Sequence, residues 1–261
     1  MNFDELVKIM ARLRGPNGCP WDLAQTLYDL RPYIMEEAME VVDAIDSGDH
    51  HSIVEELGDL LFEIVFAARI LEEEGVCEIE DIITTIAEKM IERHPHIFGD
   101  KTFTTAAEVS RSWEEIKAKK RSGDSVLDGV SEGLSALVVA EKYGRRAQEV
   151  GFDWERVEDV IAKLEEEIDE LTEAVSVGKR DDVEDEIGDM LFTVVNISRA
   201  VGVNPELALR RTNRKFSRRF RHMEKHAGES NRSFRSMSID DMEQLWQNVK
   251  ESLKDTDTDK Q

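Results

Sequence analysis

The chain repeats itself. Ile34-Met35-Glu36-Glu37-Ala38-Met39-Glu40 returns as Leu164-Glu165-Glu166-Glu167-Ile168-Asp169-Glu170, and Glu56-Leu57-Gly58-Asp59-Leu60-Leu61-Phe62 returns as Glu186-Ile187-Gly188-Asp189-Met190-Leu191-Phe192. Both matches share an offset of 130 positions, and Gly48 and Gly178 match at the same offset between them. Downstream, Lys89 and Arg93 align with Lys215 and Arg219, and Trp113 and Lys117 with Trp246 and Lys250; upstream, Trp21-Asp22 is echoed by Asp153-Trp154. Self-similarity at a fixed offset means that one structural unit has been duplicated, so whatever fold the chain adopts must be built twice. At 261 residues there is room for two domains of ordinary size. The expected division is a first domain over 1–121, a linker over 122–133, a second domain over 134–254 and a disordered tail over 255–261.

The unit that was copied is helical. Only five prolines and fifteen glycines interrupt runs rich in Glu, Ala, Leu, Lys and Arg, which points to two tandem all-α helical bundles. Residues 2–14 have an amphipathic pattern with Phe3, Leu6, Val7, Met10 and Leu13 on one face, and Gly15 to Asp22 then break helix. Pro32 suits a first helical turn, so a helix is expected from there to Ser47, stopped by Gly48. Ser52 with Glu55 reads as a capping box opening the next helix, which should run to Glu74. Further helices are expected over 79–93 and 105–120, with a loop at His94-Pro95-His96-Ile97-Phe98-Gly99-Asp100 between them.

In each half the acids sit beside the apolar stripe. With Glu167 or Glu186 set at zero and about 100° per residue, Glu167 and Glu170, and likewise Glu186 and Asp189, fall at about 0° and −60°. The stripes Leu164, Ile168, Leu171, Val175 and Val183, Ile187, Met190, Leu191, Val194 centre near +80° on the same wheel. Packing the two stripes together would gather four carboxylates at one edge of the seam, and four acids repel unless a cation or a proton sits among them. On a helical chain with a net charge of −23 the plain alternative is a solvated acidic face. The position beside the stripe, the second acidic pair at hairpin spacing and the recurrence of the whole set as Glu37, Glu40, Glu56 and Asp59 favour a metal site instead. All-oxygen donors suit Mg²⁺, with Mn²⁺ as substitute, rather than zinc. A di-iron carboxylate bundle would need Glu-x-x-His pairs, which neither half has at the required place.

The charge balance argues against nucleic acid and against anionic membranes as partners, although a metal ion would let an acidic protein handle phosphates. No apolar run reaches the roughly 20 residues that span a bilayer, and no signal peptide is visible. Cys19 and Cys77 do not form a disulfide pattern, so a reduced cytoplasmic protein is expected. Against this acidity, Arg210, Arg211, Arg214, Lys215, Arg218, Arg219 and Arg221 make one basic helix. It has two readings, a solvated counterweight or a grip in which Lys215, Arg218 and Arg219 hold the β- and γ-phosphates of a nucleotide. The first half carries Glu92 where the second has Arg218, which weakens such a site there. Trp246 serves either as core or as a platform for a base. Gly58 and Gly188 interrupt their helices beside the acids, for close helix packing or to leave room for metal and phosphate.

Gly18-Cys19-Pro20-Trp21-Asp22 with Gln25-Thr26, the two EExxE…ExxD sets, the His94–Asp100 segment and Val150-Gly151-Phe152-Asp153-Trp154 together resemble the MazG family of nucleoside triphosphate pyrophosphohydrolases, over residues 1 to 252. The resemblance implies a homodimer of two tandem all-α domains that hydrolyses nucleoside triphosphates to monophosphate and diphosphate with Mg²⁺. It implies that the C-terminal domain carries the activity and that the N-terminal copy is structural or weakly active. Carried over by position, the metal ligands are Glu167, Glu170, Glu186 and Asp189, with Glu37, Glu40, Glu56 and Asp59 as a possibly vestigial second set. Nucleotide contacts fall on Lys163, Glu167, Asp182, Glu184, Asp185, Lys215, Phe216, Arg218, Arg219 and Trp246. No Ser, Cys or His is grouped to act as nucleophile, so direct attack by water is expected, with Glu166 as the acceptor of its proton. Two other classes remain open, a nucleotide-binding regulator without turnover and a helical assembly module.

Overall fold

The computed structural model describes residues 2–119, 123, 125–131, 133–229, 234 and 237–253. The expected tail 255–261 lies outside them, and so does part of the expected linker. Among the described residues there are twelve helices and no strand: α1 Phe3–Leu13, α2 Pro20–Ala24, α3 Leu27–Ser47, α4 His50–Glu73, α5 Ile79–Arg93, α6 Pro95–Phe98, α7 Ala106–Lys119, α8 Ala136–Glu149, α9 Val157–Val177, α10 Arg180–Ala200, α11 Pro205–Glu229 and α12 Ile239–Ser252. The chain divides into two compact units, Met1–Lys120 and Arg121–Gln261.

Each unit is organised on a long helical hairpin, α3 with α4 and α9 with α10. The hairpin turns are alike for a backbone reason. Gly48 and Gly178 take φ of +74° and +78° directly after the first helix, a left-handed conformation that glycine adopts without steric cost. Only Asp49 or Lys179 then separates each glycine from the returning helix, so the two helices lie antiparallel as neighbours. Around this hairpin α1 packs on α4 in the first unit, as α8 packs on α10 in the second.

Two helix starts differ from the sequence expectation, and two short helices lie in stretches expected to be irregular. The helix expected to begin at Pro32 begins at Leu27, because Thr26 and Asp29 form a capping box there. Pro32 therefore lies inside α3, where it cannot donate to the Tyr28 carbonyl. Arg31 Nε donates to that carbonyl instead, at 3.0 Å. The helix expected to open at Ser52 opens at His50: the cap is Asp49, whose carboxylate accepts from His51 N–H and the Ser52 hydroxyl. The Gly15–Asp22 break contains the short helix α2, with Pro20 in its first turn, and the His94–Asp100 loop contains α6.

The N-terminal core is Met10, Leu30, Val65, Phe66 and Ile70, contributed by α1, α3 and α4. In the C-terminal unit Met223, Val249 and Leu253 close the contact of α11 with α12, and Phe234, Leu245 and Trp246 pack against them. The two stripes expected to seal α9 onto α10 do so only in part. Ile168, Val175, Ile187, Leu191 and Val194 are exposed, and the buried side chains of the hairpin are Val160, Glu167, Ala174, Thr193, Val195 and Asn196. A two-helix seam covers one side of each helix, so a stripe broader than the seam keeps its far edge in solvent.

Candidate metal and nucleotide site

The hairpin register brings the acids together. Glu167 stands eleven residues before Gly178 and Asp189 eleven after it; Glu170 and Glu186 stand eight before and eight after. With a rise of about 1.5 Å per residue, members of each pair lie level across an antiparallel hairpin, about 16 Å and 12 Å from the turn. Glu37 with Asp59 and Glu40 with Glu56 have the same register about Gly48.

One carboxylate oxygen from each of Glu167, Glu186 and Asp189 lies within 4.8 Å of the other two, and Glu37, Glu56 and Asp59 form the same arrangement. Glu170 is exposed and stands outside that triad, yet its charge is the largest neighbouring one felt by Glu186. Burial, then the charges of Glu170, Asp189 and Glu167, hold the Glu186 carboxyl above the usual glutamate range. Glu56 is raised in the same way, and it also shares a hydrogen bond with Glu40.

Glu167 is only 4% exposed. Lys163 Nζ lies 2.8 Å from its Oε1 and 2.8 Å from Glu166 Oε1, and these two hydrogen bonds hold the lysine well above its ordinary proton affinity. Glu167 Oε2 and Glu186 Oε2 are shielded from solvent and have no hydrogen-bond partner. Buried carboxylate oxygens left without a donor are costly. A small divalent cation with a preference for oxygen supplies what they lack, and the donor set fits Mg²⁺ or Mn²⁺.

The residues expected to contact a nucleotide are spread over α9, α10, α11 and α12. On α11 and α12, the Phe216 and Trp246 rings lie 5.4 Å apart, and the Arg219 guanidinium sits 5.9 Å from the Trp246 ring centre. Trp246 is half-buried against the core, so core packing accounts for part of its role. The first unit repeats the motif with Arg93 at 5.2 Å over Trp113. Lys215 and Phe216 are exposed, and Arg218 lines an open groove of 380 Å³ with Arg214, Ser217, Arg221 and His222. Asp182, Glu184 and Asp185 are exposed on the first turns of α10, and Asp182 is 3.5 Å from Lys179. A Cβ added at Gly58 or Gly188 would meet nothing within 4 Å, so neither glycine serves close packing within the chain.

The family model of the MazG nucleotide pyrophosphohydrolase domain matches residues 25–98 and again 155–224, which hold the two hairpins together with α5 and α6 in the first unit and most of α11 in the second. The chain belongs to the MazG family. Its members are hydrolases, and this MazG chain is similar from end to end to relatives with that name. It is 42% identical over 254 residues to the nucleoside triphosphate pyrophosphohydrolase of Escherichia coli K12, covering 95% of this chain and 97% of that one. It is 41% identical over 250 residues to the nucleoside triphosphate pyrophosphohydrolase/pyrophosphatase MazG of Thermotoga maritima, covering 95% of each. A third relative, the uncharacterized protein YabN of Bacillus subtilis, is 43% identical over 253 residues, which span 96% of this chain and 52% of YabN.

Two acids of this MazG chain escape the EExxE…ExxD pattern. Burial and then the charges of Glu37, Asp22 and Asp59 raise the carboxyl of Glu63, four residues beyond Asp59, so Glu63 and Asp22, within the Cys19–Asp22 motif, lie in electrical reach of each other near the first acidic cluster. Helical spacing from Asp59 was the signal that could have found Glu63. Nothing local to Asp22 announces its place.

Proposed function

We propose that this chain is a Mg²⁺-dependent nucleoside triphosphate pyrophosphohydrolase, with Mn²⁺ as substitute, that converts NTP and water to NMP and diphosphate in its C-terminal domain. The observation that carries this reading is the buried, unpartnered pair Glu167 Oε2 and Glu186 Oε2 beside Asp189, within a family of pyrophosphohydrolases. Glu167, Glu170, Glu186 and Asp189 hold the ion. When bound, a divalent cation offsets phosphate charge and makes bound water a better nucleophile.

The chain's own residues do the rest. Lys215, Arg218 and Arg219 bind the β- and γ-phosphates, where the basic face of α11 meets a polyanion. Phe216 and Trp246 offer the base an aromatic platform. Lys163, Asp182, Glu184 and Asp185 flank the site at the hairpin edges. Water attacks the α-phosphorus in line, the bond to the β-phosphate oxygen breaks, and diphosphate departs. Glu166, exposed and tied to Lys163, accepts the proton of the attacking water. The N-terminal copy is structural or weakly active, because Glu92 stands where Arg218 grips phosphate.

The working form is a homodimer. Leu57, Leu61 and Ile64 on α4, and Ile187, Leu191 and Val194 on α10, are exposed at i, i+4, i+7 spacing, and a second copy would bury them. The site of action is the cytoplasm: both cysteines are free, and among the described residues no helix is long and apolar enough to cross a membrane. Its role is broad sanitation of the (d)NTP pool.

The test is release of diphosphate from a panel of NTPs and dNTPs with and without Mg²⁺, for the wild type and for Glu170→Ala and Asp189→Ala. The expected result is Mg²⁺-dependent turnover that both variants lose, with helical content unchanged. Tight NTP binding without diphosphate release would make the chain a nucleotide-binding regulator.

A further inference from the structure

Among the described residues, Lys163 is the only Lys, Arg or His paired with a carboxylate of either acidic triad. It stands on α9 one turn before Glu166 and Glu167, a spacing at which the three side chains share a helix face. Its Nζ lies 2.8 Å from Oε1 of each. The two partners sit in different surroundings: Glu166 is exposed, whereas Glu167 is only 4% exposed. At the matching place in the first hairpin, 130 positions earlier, stands Tyr33, an uncharged ring turned edge-on to Trp21 at 5.9 Å. The lysine is therefore a feature of the second site and not of the repeated unit.

The pairing makes the two oxygens of Glu167 unlike. Oε1 is held by an ammonium group, while Oε2 is shielded from solvent with no hydrogen-bond partner, as is Oε2 of Glu186 in the same triad. A carboxylate held in this way has one oxygen to give. Divalent cations differ in what they ask of it. Mg²⁺ requires near-ideal octahedral geometry at about 2.0–2.1 Å, which one oxygen per carboxylate supplies. Ca²⁺ gathers about six to eight oxygens at about 2.3–2.6 Å and readily takes both oxygens of one carboxylate.

We propose that Lys163 is a positioning residue that sets the metal preference of the second hairpin: by holding Oε1 it makes Glu167 a one-oxygen ligand, which favours Mg²⁺ and Mn²⁺ over Ca²⁺. It acts through Glu167, as the partners standing behind a metal ligand commonly do. Lys163 falls among the residues expected to contact a nucleotide, yet its ammonium is engaged by two carboxylates of its own helix. The inference rests on the metal reading of the second triad, and it is tested without nucleotide so that the two fail separately.

The experiment uses the full chain carrying Glu37→Gln and Asp59→Asn, which disable the first triad. Bound Mn²⁺ is followed by electron paramagnetic resonance, and Mg²⁺ and Ca²⁺ are titrated in as competitors. Losing a positive neighbour by itself draws every divalent cation more strongly, so the readout is the ratio of Ca²⁺ to Mg²⁺ concentrations that displace Mn²⁺. Lys163→Met should shift that preference towards Ca²⁺ on the order of tenfold. Lys163→Arg keeps a cation at the place and should hold the preference near that of the parent chain. An unchanged preference in Lys163→Met would overturn the proposal. A lysine that only contacts nucleotide gives that result with a raised KM for NTP, and one that only supports its helix gives it with an equal fall in melting with and without Mn²⁺. A parent chain that binds no Mn²⁺ would overturn the metal reading, and this inference with it.

Discussion

Asp153 and Arg199 illustrate how the fold treats charge away from the acidic triads. Both side chains are largely buried, their two-pronged contact is joined by Asn196 and Gln148, and the guanidinium holds the Asp153 carboxyl below the usual aspartate range. Gly144 is packed beneath this pair so closely that a Cβ there would lie 2.6 Å from Asn196 Oδ1. Removing one partner of such a pair strands the other in a poorly hydrated place, so Asp153→Ala should destabilise the C-terminal domain by about 3 kcal/mol at neutral pH. The sign with pH follows from the lowered carboxyl. The contribution is present above the ordinary aspartate value of about 4 and is lost as pH falls through the depressed one. Denaturant unfolding of wild type and variant should therefore converge below about pH 4, and a gap that widens there would refute the assignment.

Each hairpin is a device for placing acids. The turn glycines set the level at which Glu167 meets Asp189, and the level at which Glu170 meets Glu186, whatever the rest of the bundle does. Gly188 then keeps the wall beside Asp189 open, since nothing of the chain fills the space its side chain would take. As a helix-interior glycine it costs roughly 1 kcal/mol against alanine. Gly188→Ala should thus raise stability by up to about 1 kcal/mol and slow NTP hydrolysis, because the methyl enters room meant for substrate or a partner copy. Gly58→Ala should give the same stabilisation with little loss of turnover. Unchanged kinetics in both variants would show that the glycine beside Asp189 is incidental to the site.

At the scale of the whole molecule, the proposed reading divides the work between the two units. Both keep the carboxylate register, but only the second pairs it with a basic α11, so Glu40→Ala should leave most activity and Glu170→Ala almost none. Loss of activity in Glu40→Ala alone would reverse the assignment. The exposed stripes on α4 and α10 put a further demand on the molecule. Leu191 is 53% exposed, with Ile187 and Val194 beside it, and leaving such a row in water forgoes its burial. Leu191→Glu should shift sedimentation from dimer towards monomer and lower hydrolysis with it. A monomeric wild type would remove the reason for the stripe.

The sequence alone carried the all-α character, the duplication and the acid register, because each is written in local terms: helix-forming composition, a constant offset, and spacings of three residues beside an apolar stripe. Helix ends were less legible where two signals competed. Thr26 with Asp29 outbid Pro32 as a start, and Asp49 outbid Ser52, since a cap is chosen by which side chain reaches the free N–H groups and residue type alone does not say. What only the tertiary structure decided is which charges are neighbours across helices. That Arg199 pairs with Asp153, that Arg14 pairs with Glu73, and that the charge of Asp22 reaches Glu63 all depend on groups brought together from distant parts of the chain. No local spacing encodes such a meeting, because it is made by the packing of one element on another.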